Sequence, residues 1–234
     1  MNFSSLSPWE KLQKQMTWDQ IGSVSDLDIL DFGSGNGVTA AHFARHNRVT
    51  AVEPDREMTS DRDQSAPYRQ IQGDVSALER MGAESFDLIL CHNVLEYAGE
   101  RMRILREFVR LLRPAGQISI LKHNRPGRVM QTAVLLNQFD RAHALLDGKA
   151  STSEQFGVIH YYEDEETVSQ MPELRLKQVY GMRTFWDLQQ NQEIQRDTLW
   201  QAEMLELEKR VSRLEPYRSI AFFHHLLFAK EQAV

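Results

Sequence analysis

The stretch "ILDFGSGNGVTAAHFARH", residues 29–46, sets Gly33, Gly35 and Gly37 within five positions. An apolar run leads in and a helix-forming segment follows from about Val38, so it reads as strand, tight turn and helix. Glycines at such a turn let a ligand approach the backbone with no Cβ between them. The helix start behind them offers free N–H groups to an anion. The spacing is G-x-G-x-G rather than the dinucleotide fingerprint G-x-G-x-x-G. With Asp31 two residues ahead, it suits a nucleoside carrying an amino-acid tail better than a pyrophosphate. Asp31 would then face an ammonium, and the amides of Gly33, Ser34, Gly35, Asn36 and Gly37 would face the tail. The plain alternative is a tight strand-to-helix turn that holds nothing.

Outward from this turn, short apolar runs alternate with helical segments. "LDILDF", "RVTAVEP", "YRQIQGD", "FDLILCHN" and "ISILKHN" read as five strands. "ERMRILREFVRLLR" between the last two is an amphipathic helix with Met102, Leu105, Phe108, Val109 and Leu112 on one stripe. The alternation predicts an α/β fold, a parallel sheet with helices on both faces. Ahead of it, "PWEKLQKQMTWDQI", residues 8–21, spaces Trp9, Leu12, Met16 and Ile21 as a helix would, with Pro8 suited to the first turn. Beyond it, residues 126–147 read as helical and "STSEQFGVIHYY" as a polar-aromatic loop. "EDEETVSQM" reads as a helix start, "LRLKQVYGMRTF" and "RSIAFFHHLLFAK" as strands, and Trp186 to Leu214 as a long helical segment.

Glu53 ends the second strand 22 residues after Asp31, where an acid accepts hydrogen bonds from ribose hydroxyls. Asp74 closes the third strand, placed to accept from an exocyclic amine with Val75 against the ring. Three acids at the ends of three consecutive strands after a glycine turn say more than any one of them.

Composition narrows the class. The 234 residues are 41% hydrophobic, enough for a core, and carry a net charge of −6. The chain as a whole is therefore no electrostatic binder of DNA or RNA, although a local basic patch is open to it. One cysteine, Cys91, rules out an intramolecular disulfide framework and a cysteine zinc site. No metal site is expected. No apolar run reaches membrane-spanning length and the start lacks a signal-like apolar region, so a soluble cytoplasmic protein is expected.

"LDFGSGNG", "AVEPD", "GDV", "FDLILCHNVLEY" and "LLRPAGQISI", in this order over roughly residues 27–122, resemble the class I S-adenosylmethionine-dependent methyltransferases. The resemblance implies a Rossmann-like sheet of six parallel strands and one antiparallel strand. It implies S-adenosylmethionine contacts at Asp31, Gly33, Gly35, Glu53 with Pro54, Asp74, His92 and Asn93. It also implies that helix 8–21 caps the cofactor, with Gln13 or Lys14 reaching its carboxylate. One domain over residues 1–234 is expected, with a substrate-side insertion at about 123–173. "LCHNVLEYA", "GMRTFWD" and "LELEKRVSRLEPY" resemble, more distantly, the bacterial tRNA methyltransferases that esterify 5-carboxymethoxyuridine at the wobble position. "HNRPGRVMQ" and "STSEQFGVIHYY" have no counterpart there, and they fall where the substrate would be chosen.

Methyl transfer is an in-line displacement in which the protein supplies position. A carboxylate acceptor needs a cation and no base. A phenol, alcohol or protonated amine needs a base, for which His123, His92, Tyr161 and Tyr162 are the candidates. Arg125, Arg128, Arg183 and Arg218 are the candidates for an anionic acceptor. From Arg101 to Arg128 eight Lys or Arg face one acid, Glu107. Arg103, Arg106, Arg110 and Arg113 there form either a solvated helix face or a phosphate-contacting stripe. The leading expectation is methyl transfer to an oxygen or nitrogen acceptor, in the narrower reading the carboxylate of a modified tRNA uridine. A small-molecule methyltransferase and a non-catalytic cofactor-binding module stay open, while the glycine spacing disfavours nicotinamide chemistry.

Overall fold

The computed structural model describes residues 2–153 and 157–231. Helix α1 (Pro8–Ile21) opens the fold, its first turn closed by Ser7 and Glu10, whose carboxylate accepts the Ser7 N–H at 2.8 Å. Then come β1 (Asp28–Phe32), α2 (Val38–Ala44), β2 (Arg48–Glu53), α3 (Arg56–Ser60), β3 (Arg69–Gln72) and α4 (Val75–Glu79). Next are β4 (Phe86–His92), α5 (Arg101–Leu111) and β5 (Leu112–His123). Between β5 and the next strand of the main sheet stand α6 (Arg125–Val134), α7 (Phe139–Leu146), β6 (Ser151–Ser153), β7 (Gly157–Ile159) and α8 (Asp164–Gln170). The chain ends with β8 (Leu174–Met182), α9 (Thr198–Val211) and β9 (Phe223–Lys230).

Seven strands form one sheet in the order β3-β2-β1-β4-β5-β9-β8. Neighbours pair in parallel from β3 to β5, and β9 runs antiparallel to both β5 and β8, so six strands share one direction. The expected class of sheet is the one found. Central strands buried on both faces need unbroken apolar runs, and Ile29, Leu30, Leu88, Ile89, Leu90, Ile118 and Ile120 are all buried. Helix α5 covers one face through Ile104, Leu105, Phe108 and Leu111, whereas Met102, expected on that stripe, is exposed. Helix α1 covers the other face. Its Leu12 and Met16 pack on Leu121, Met182, Phe222 and Phe223, and its Trp18 stacks on His42 of α2 at 3.7 Å.

The second half departs from its sequence reading at five places, one of them β9, which starts at Phe223 and not at Arg218 because the chain is still turning through residue 220. Residues 126–147 form two helices, because Asn137 turns to φ +51° and the Gln138 N–H bonds back to the Thr132 carbonyl at 3.0 Å. "STSEQFGVIHYY" is no plain loop, since β6 and β7 pair antiparallel; its residues 154–156 lie outside the described residues. The long helix expected over 186–214 is two single turns, Trp186–Leu188 and Ile194–Arg196, and then α9. Strand β8 stops at Met182, three residues early, where Arg183 takes φ +60°. Among the described residues no helix is long and apolar enough to cross a membrane, and no cluster of three His, Cys, Asp or Glu is placed to hold a metal ion.

Candidate active site

From β1 the chain moves outward to β2 and β3, and from β4 it moves the other way to β5. The crevice at the carboxyl ends of these strands is where an open parallel sheet holds a ligand, and Asp31 with the glycine turn, Glu53, His92 and Asn93 lie at those ends.

The three glycines divide by role. A Cβ on Gly33 would lie 2.2 Å from Val94 Cγ2, and one on Gly37 would lie 2.0 Å from the Tyr68 hydroxyl. Either would force the neighbouring side chain to move. A Cβ on Gly35 would meet only Met58 Sδ at 3.7 Å, so that glycine leaves open space over the turn, and its φ of +54° suits glycine besides. Val52, near the end of β2, holds the turn down by accepting the N–H groups of Gly33 and Ser34 at 2.8 and 3.2 Å. Glu53 staples it, accepting the Gly35 N–H at 2.8 Å and the Asp55 N–H at 2.9 Å with its two oxygens. Asn36 lends its carbonyl to the Asp63 N–H, and Pro54 is exposed beside Glu53.

Asp31 is buried, and its Oδ2 has no partner among the described residues. Burial pushes its pKa up to about 6, with Lys14 opposing the rise and Glu53 adding to it. Ser34 Oγ and Asn93 Oδ1 are likewise buried and unpartnered. Asn93 sits at φ +58° just past β4, with its N–H on the Leu121 carbonyl. Of the two α1 residues expected near the cofactor, Lys14 reaches the turn: its Nζ donates to Thr39 Oγ1 of α2 at 2.7 Å, with Asp31 in its field. Gln13 points elsewhere and accepts from Arg183 Nη1 at 3.2 Å. Asp74 is exposed and caps α4, accepting the Ser76 N–H at 2.9 Å, with Val75 buried behind it. Hydrogen bonding from Ser76 lowers its pKa. His92 ends β4 with Nε2 2.8 Å from Ser119 Oγ, and burial lowers its pKa well below the usual value. Cys91 beside it is fully buried, and burial pushes its thiol up, as befits an inert side chain.

A second group gathers past β5. Asn124 donates to the Ser219 and Ala221 carbonyls at 2.9 and 2.8 Å, and Gly127 lies flat on Ala221, where a Cβ would be 2.0 Å from the carbonyl oxygen. This fixes the start of α6 and brings Arg125 and Arg128 to the crevice rim. Arg128 bonds Gln131 at 2.5 Å and stands over Phe222, its centre 5.4 Å from the ring, while Arg125 stands 5.7 Å from the Tyr161 ring. The Nε atoms of both arginines are buried without partners among the described residues. His123 stacks beside Phe223 at 4.7 Å, and its Nε2 is 3.3 Å from the Tyr97 hydroxyl. Burial pulls its pKa down to about 3, helped by the charges of Arg128, Arg183 and Lys122. A ring so reluctant to take a proton is a poor general base. The Tyr161 hydroxyl is bonded to Ser151 at 2.9 Å.

Two of the four candidate arginines do not offer a free fork. Arg183 is 7% exposed and closes bidentately on Asp187, Nε and Nη2 at 2.7 and 2.6 Å, between the rings of Trp9 and Phe222. Its Asp partner lies at i+4, a legible spacing. Arg218 pairs with Glu215 at the surface. Much of the arginine stripe is spent: Arg103 pairs with Glu79 and Glu100, Arg110 with Glu107, and Arg113, at the start of β5, with Asp28 and Asp87, while Arg106 is exposed. Asp28 and Asp87 stand at the starts of β1 and β4, so Arg113 sits at the opposite end of the sheet from the crevice.

Sequence reasoning passed over Glu96 and Glu208. Glu96 is 1% exposed, and accepts the His123 N–H at 3.1 Å. Burial pushes its pKa up to about 7. An acid inside the apolar run "NVLEYA" was the available signal.

Residues 30–120 match a family described as a methyltransferase domain. The tRNA 5-carboxymethoxyuridine methyltransferase of Escherichia coli is 27% identical over 240 aligned positions, which cover 95% of this chain and 90% of that one. A ubiquinone biosynthesis O-methyltransferase of Xanthomonas oryzae is 30% identical over 113 positions, covering 46% of this chain and 47% of its own. A crystal structure described as an S-adenosylmethionine-dependent methyltransferase from Mesorhizobium loti superposes with a TM-score of 0.60 at 14% identity, over 97% of this chain and all of that one.

Proposed function

The chain is an S-adenosylmethionine-dependent methyltransferase, and from that premise we propose that it esterifies a carboxylate carried by a modified tRNA nucleoside. One observation carries this reading: the crevice beyond β5 is cationic, and its histidine, His123, is held neutral and is a poor base. Arg125 and Arg128 keep unpartnered Nε atoms there, and the cations around His123 help hold it neutral. A carboxylate is already anionic at neutral pH and asks for charge and orientation alone. A phenol or ammonium would ask for a base that His123 cannot supply. The Escherichia coli relative, a tRNA 5-carboxymethoxyuridine methyltransferase, aligns along nearly the whole chain and supports the same acceptor class.

The residues on the other side fit the cofactor. Asp31 Oδ2, Ser34 Oγ and Asn93 Oδ1 are buried acceptors in want of donors, and S-adenosylmethionine brings an ammonium, ribose hydroxyls and an adenine amine. Asp31 would take the ammonium, Lys14 the tail carboxylate and Glu53 the ribose. When bound, the cofactor supplies an electrophilic methyl group on a sulfonium. The chain's own part is to hold the acceptor in line through Arg125 and Arg128, and to exclude water with Phe222, Phe223 and Tyr161.

Two expectations test the cofactor side. Glu53→Ala is expected to weaken S-adenosylhomocysteine binding by about 1–3 kcal/mol, because ribose loses a charged acceptor and the Gly35 and Asp55 amides lose their staple. Calorimetry reads this directly, and unchanged affinity in a folded variant would remove Glu53 from the site. The second concerns pH. Asp31 has a pKa of about 6, and a ligand ammonium favours its ionised form. Below that pH a proton must leave Asp31 on binding, so affinity is expected to fall about tenfold per unit of acidification. Asp31→Asn is expected to flatten the profile; a wild-type profile flat from pH 5 to 7 would contradict the pairing.

The acceptor is tested by mass spectrometry of tRNA nucleosides from cells with and without the protein. Loss of a methyl ester from a carboxylated uridine is the expected result. An unchanged nucleoside set with an altered small metabolite would favour the small-molecule reading.

A further inference from the structure

A buried line of polar side chains crosses the sheet from α1 to the end of β4. Gln20 Oε1 on α1 lies 2.6 Å from His225 Nδ1 on β9, His225 Nε2 lies 2.7 Å from Ser119 Oγ on β5, and Ser119 Oγ lies 2.8 Å from His92 Nε2. Strand register builds it. Leu121 pairs with His92 on one side and His225 on the other, and Ser119, two residues before Leu121, shares their face. Ser119 and His225 are fully buried.

We propose that Gln20, His225 and Ser119 are positioning residues that hold His92 in the Nε2–H tautomer, so that Nδ1 stays free to accept from an N–H or O–H of the bound cofactor. This rests on the placement of His92 at the cofactor site. The protons follow from the partners. The Gln20 carbonyl oxygen can only accept, so His225 carries its proton on Nδ1 and its Nε2 is a lone pair. The Ser119 hydroxyl then donates to His225, and its oxygen accepts from His92 Nε2–H. Every internal link is satisfied, and Nδ1 is left as the acceptor of the His92 ring.

Apolar side chains at 119 and 225 would fill the same interior with no polar group to desolvate. A polar line that ends at the crevice has a use that packing alone does not explain. Burial also keeps both rings neutral, which suits the neighbourhood of a sulfonium cation. Helix α1 thus reaches the cofactor site twice, through Lys14 at the glycine turn and through Gln20 at the end of this line.

The test is a proton–nitrogen correlation spectrum of the histidine rings in the full chain at pH 7, with His92 assigned through His92→Ala. The expected result is His92 protonated at Nε2, and an Nδ1 shift when S-adenosylhomocysteine is added. Gln20→Met and Ser119→Ala are expected to abolish the tautomer preference and weaken S-adenosylhomocysteine about 5-fold. A wild-type His92 protonated at Nδ1 would overturn the proposal. So would variants that lose thermal stability while tautomer and affinity stay as in the wild type, since that marks a structural role only. Unchanged affinity in His92→Ala would instead remove His92 from the cofactor site, and the purpose of the line with it.

Discussion

Arg128→Lys is expected to lower kcat/KM for the methyl acceptor about 100-fold while leaving cofactor affinity unchanged. Arg128 leaves α6 toward the crevice, is braced by Gln131 and Phe222, and keeps an unpartnered Nε. A guanidinium holds a carboxylate through two parallel hydrogen bonds and so fixes its plane as well as its charge. Lysine restores the charge without the fork. An in-line displacement is sensitive to small misalignment, which places the loss in rate more than in binding. Arg125→Lys is expected to show a smaller loss of the same kind, since the Tyr161 face stands 5.7 Å from Arg125 whereas Arg128 is braced by both Gln131 and Phe222. Arg183→Lys is expected to act differently: it opens the Asp187 fork and loosens α1 through Gln13, so stability falls with activity. Steady-state kinetics beside calorimetry separates these cases. Wild-type rates in both Arg128→Lys and Arg125→Lys would remove the clamp from the account.

Glu208→Ala is expected to cost about 3–5 kcal/mol of stability, by stranding three buried N–H groups at once. Glu208 on α9 is fully buried, and its carboxylate accepts from Thr184 at 2.8 Å, Phe185 at 2.7 Å and Trp186 at 3.0 Å. Those amides open the turn that follows Arg183, so α9 fixes the segment carrying the Arg183–Asp187 pair. Relief of the buried charge offsets part of the loss, because burial, with the charge of Asp187 adding to it, pushes this carboxyl up. Glu208→Gln keeps an acceptor for Phe185 and Trp186 but turns an NH2 toward Thr184, and is expected to fall between the two. A chain of this size loses about 2–4 °C of Tm per kcal/mol, so thermal unfolding resolves the order. A Glu208→Ala variant as stable as the wild type would show that water replaces the carboxylate without cost.

The first half of the fold was legible because its central strands are buried on both faces and so read as apolar runs, the first three ended by glycine, proline or an acid and the next two by His-Asn. Helix α1 was legible to its ends through Pro8 and the spacing of Leu12 and Met16. The second half hid its breaks: nothing in "AVLLNQFD" announces that Asn137 turns left-handed, and the glutamine-rich stretch after Trp186 has helical composition but local side-chain bonds that compete, such as Gln189 with the Asn191 N–H at 2.9 Å. The crevice acids were legible at strand ends. Which glycine serves a ligand was not, because the packing of Val94 and Tyr68 against Gly33 and Gly37 is made by residues far along the chain. Charge alone left the arginines undecided, since the partners of Arg183, Arg103 and Arg113 (Asp187, Glu79 and Asp87) are brought beside them by the fold.

The most direct measurement of the central claim is methylation of bulk tRNA by the purified chain with isotope-labelled S-adenosylmethionine, followed by nucleoside digestion and mild alkali. Label is expected on a carboxylated uridine, released as methanol by the alkali because an ester hydrolyses there, and lost in Arg128→Lys. Label that survives alkali as an ether or methylamine, or label that enters small acids and never tRNA, would contradict that claim.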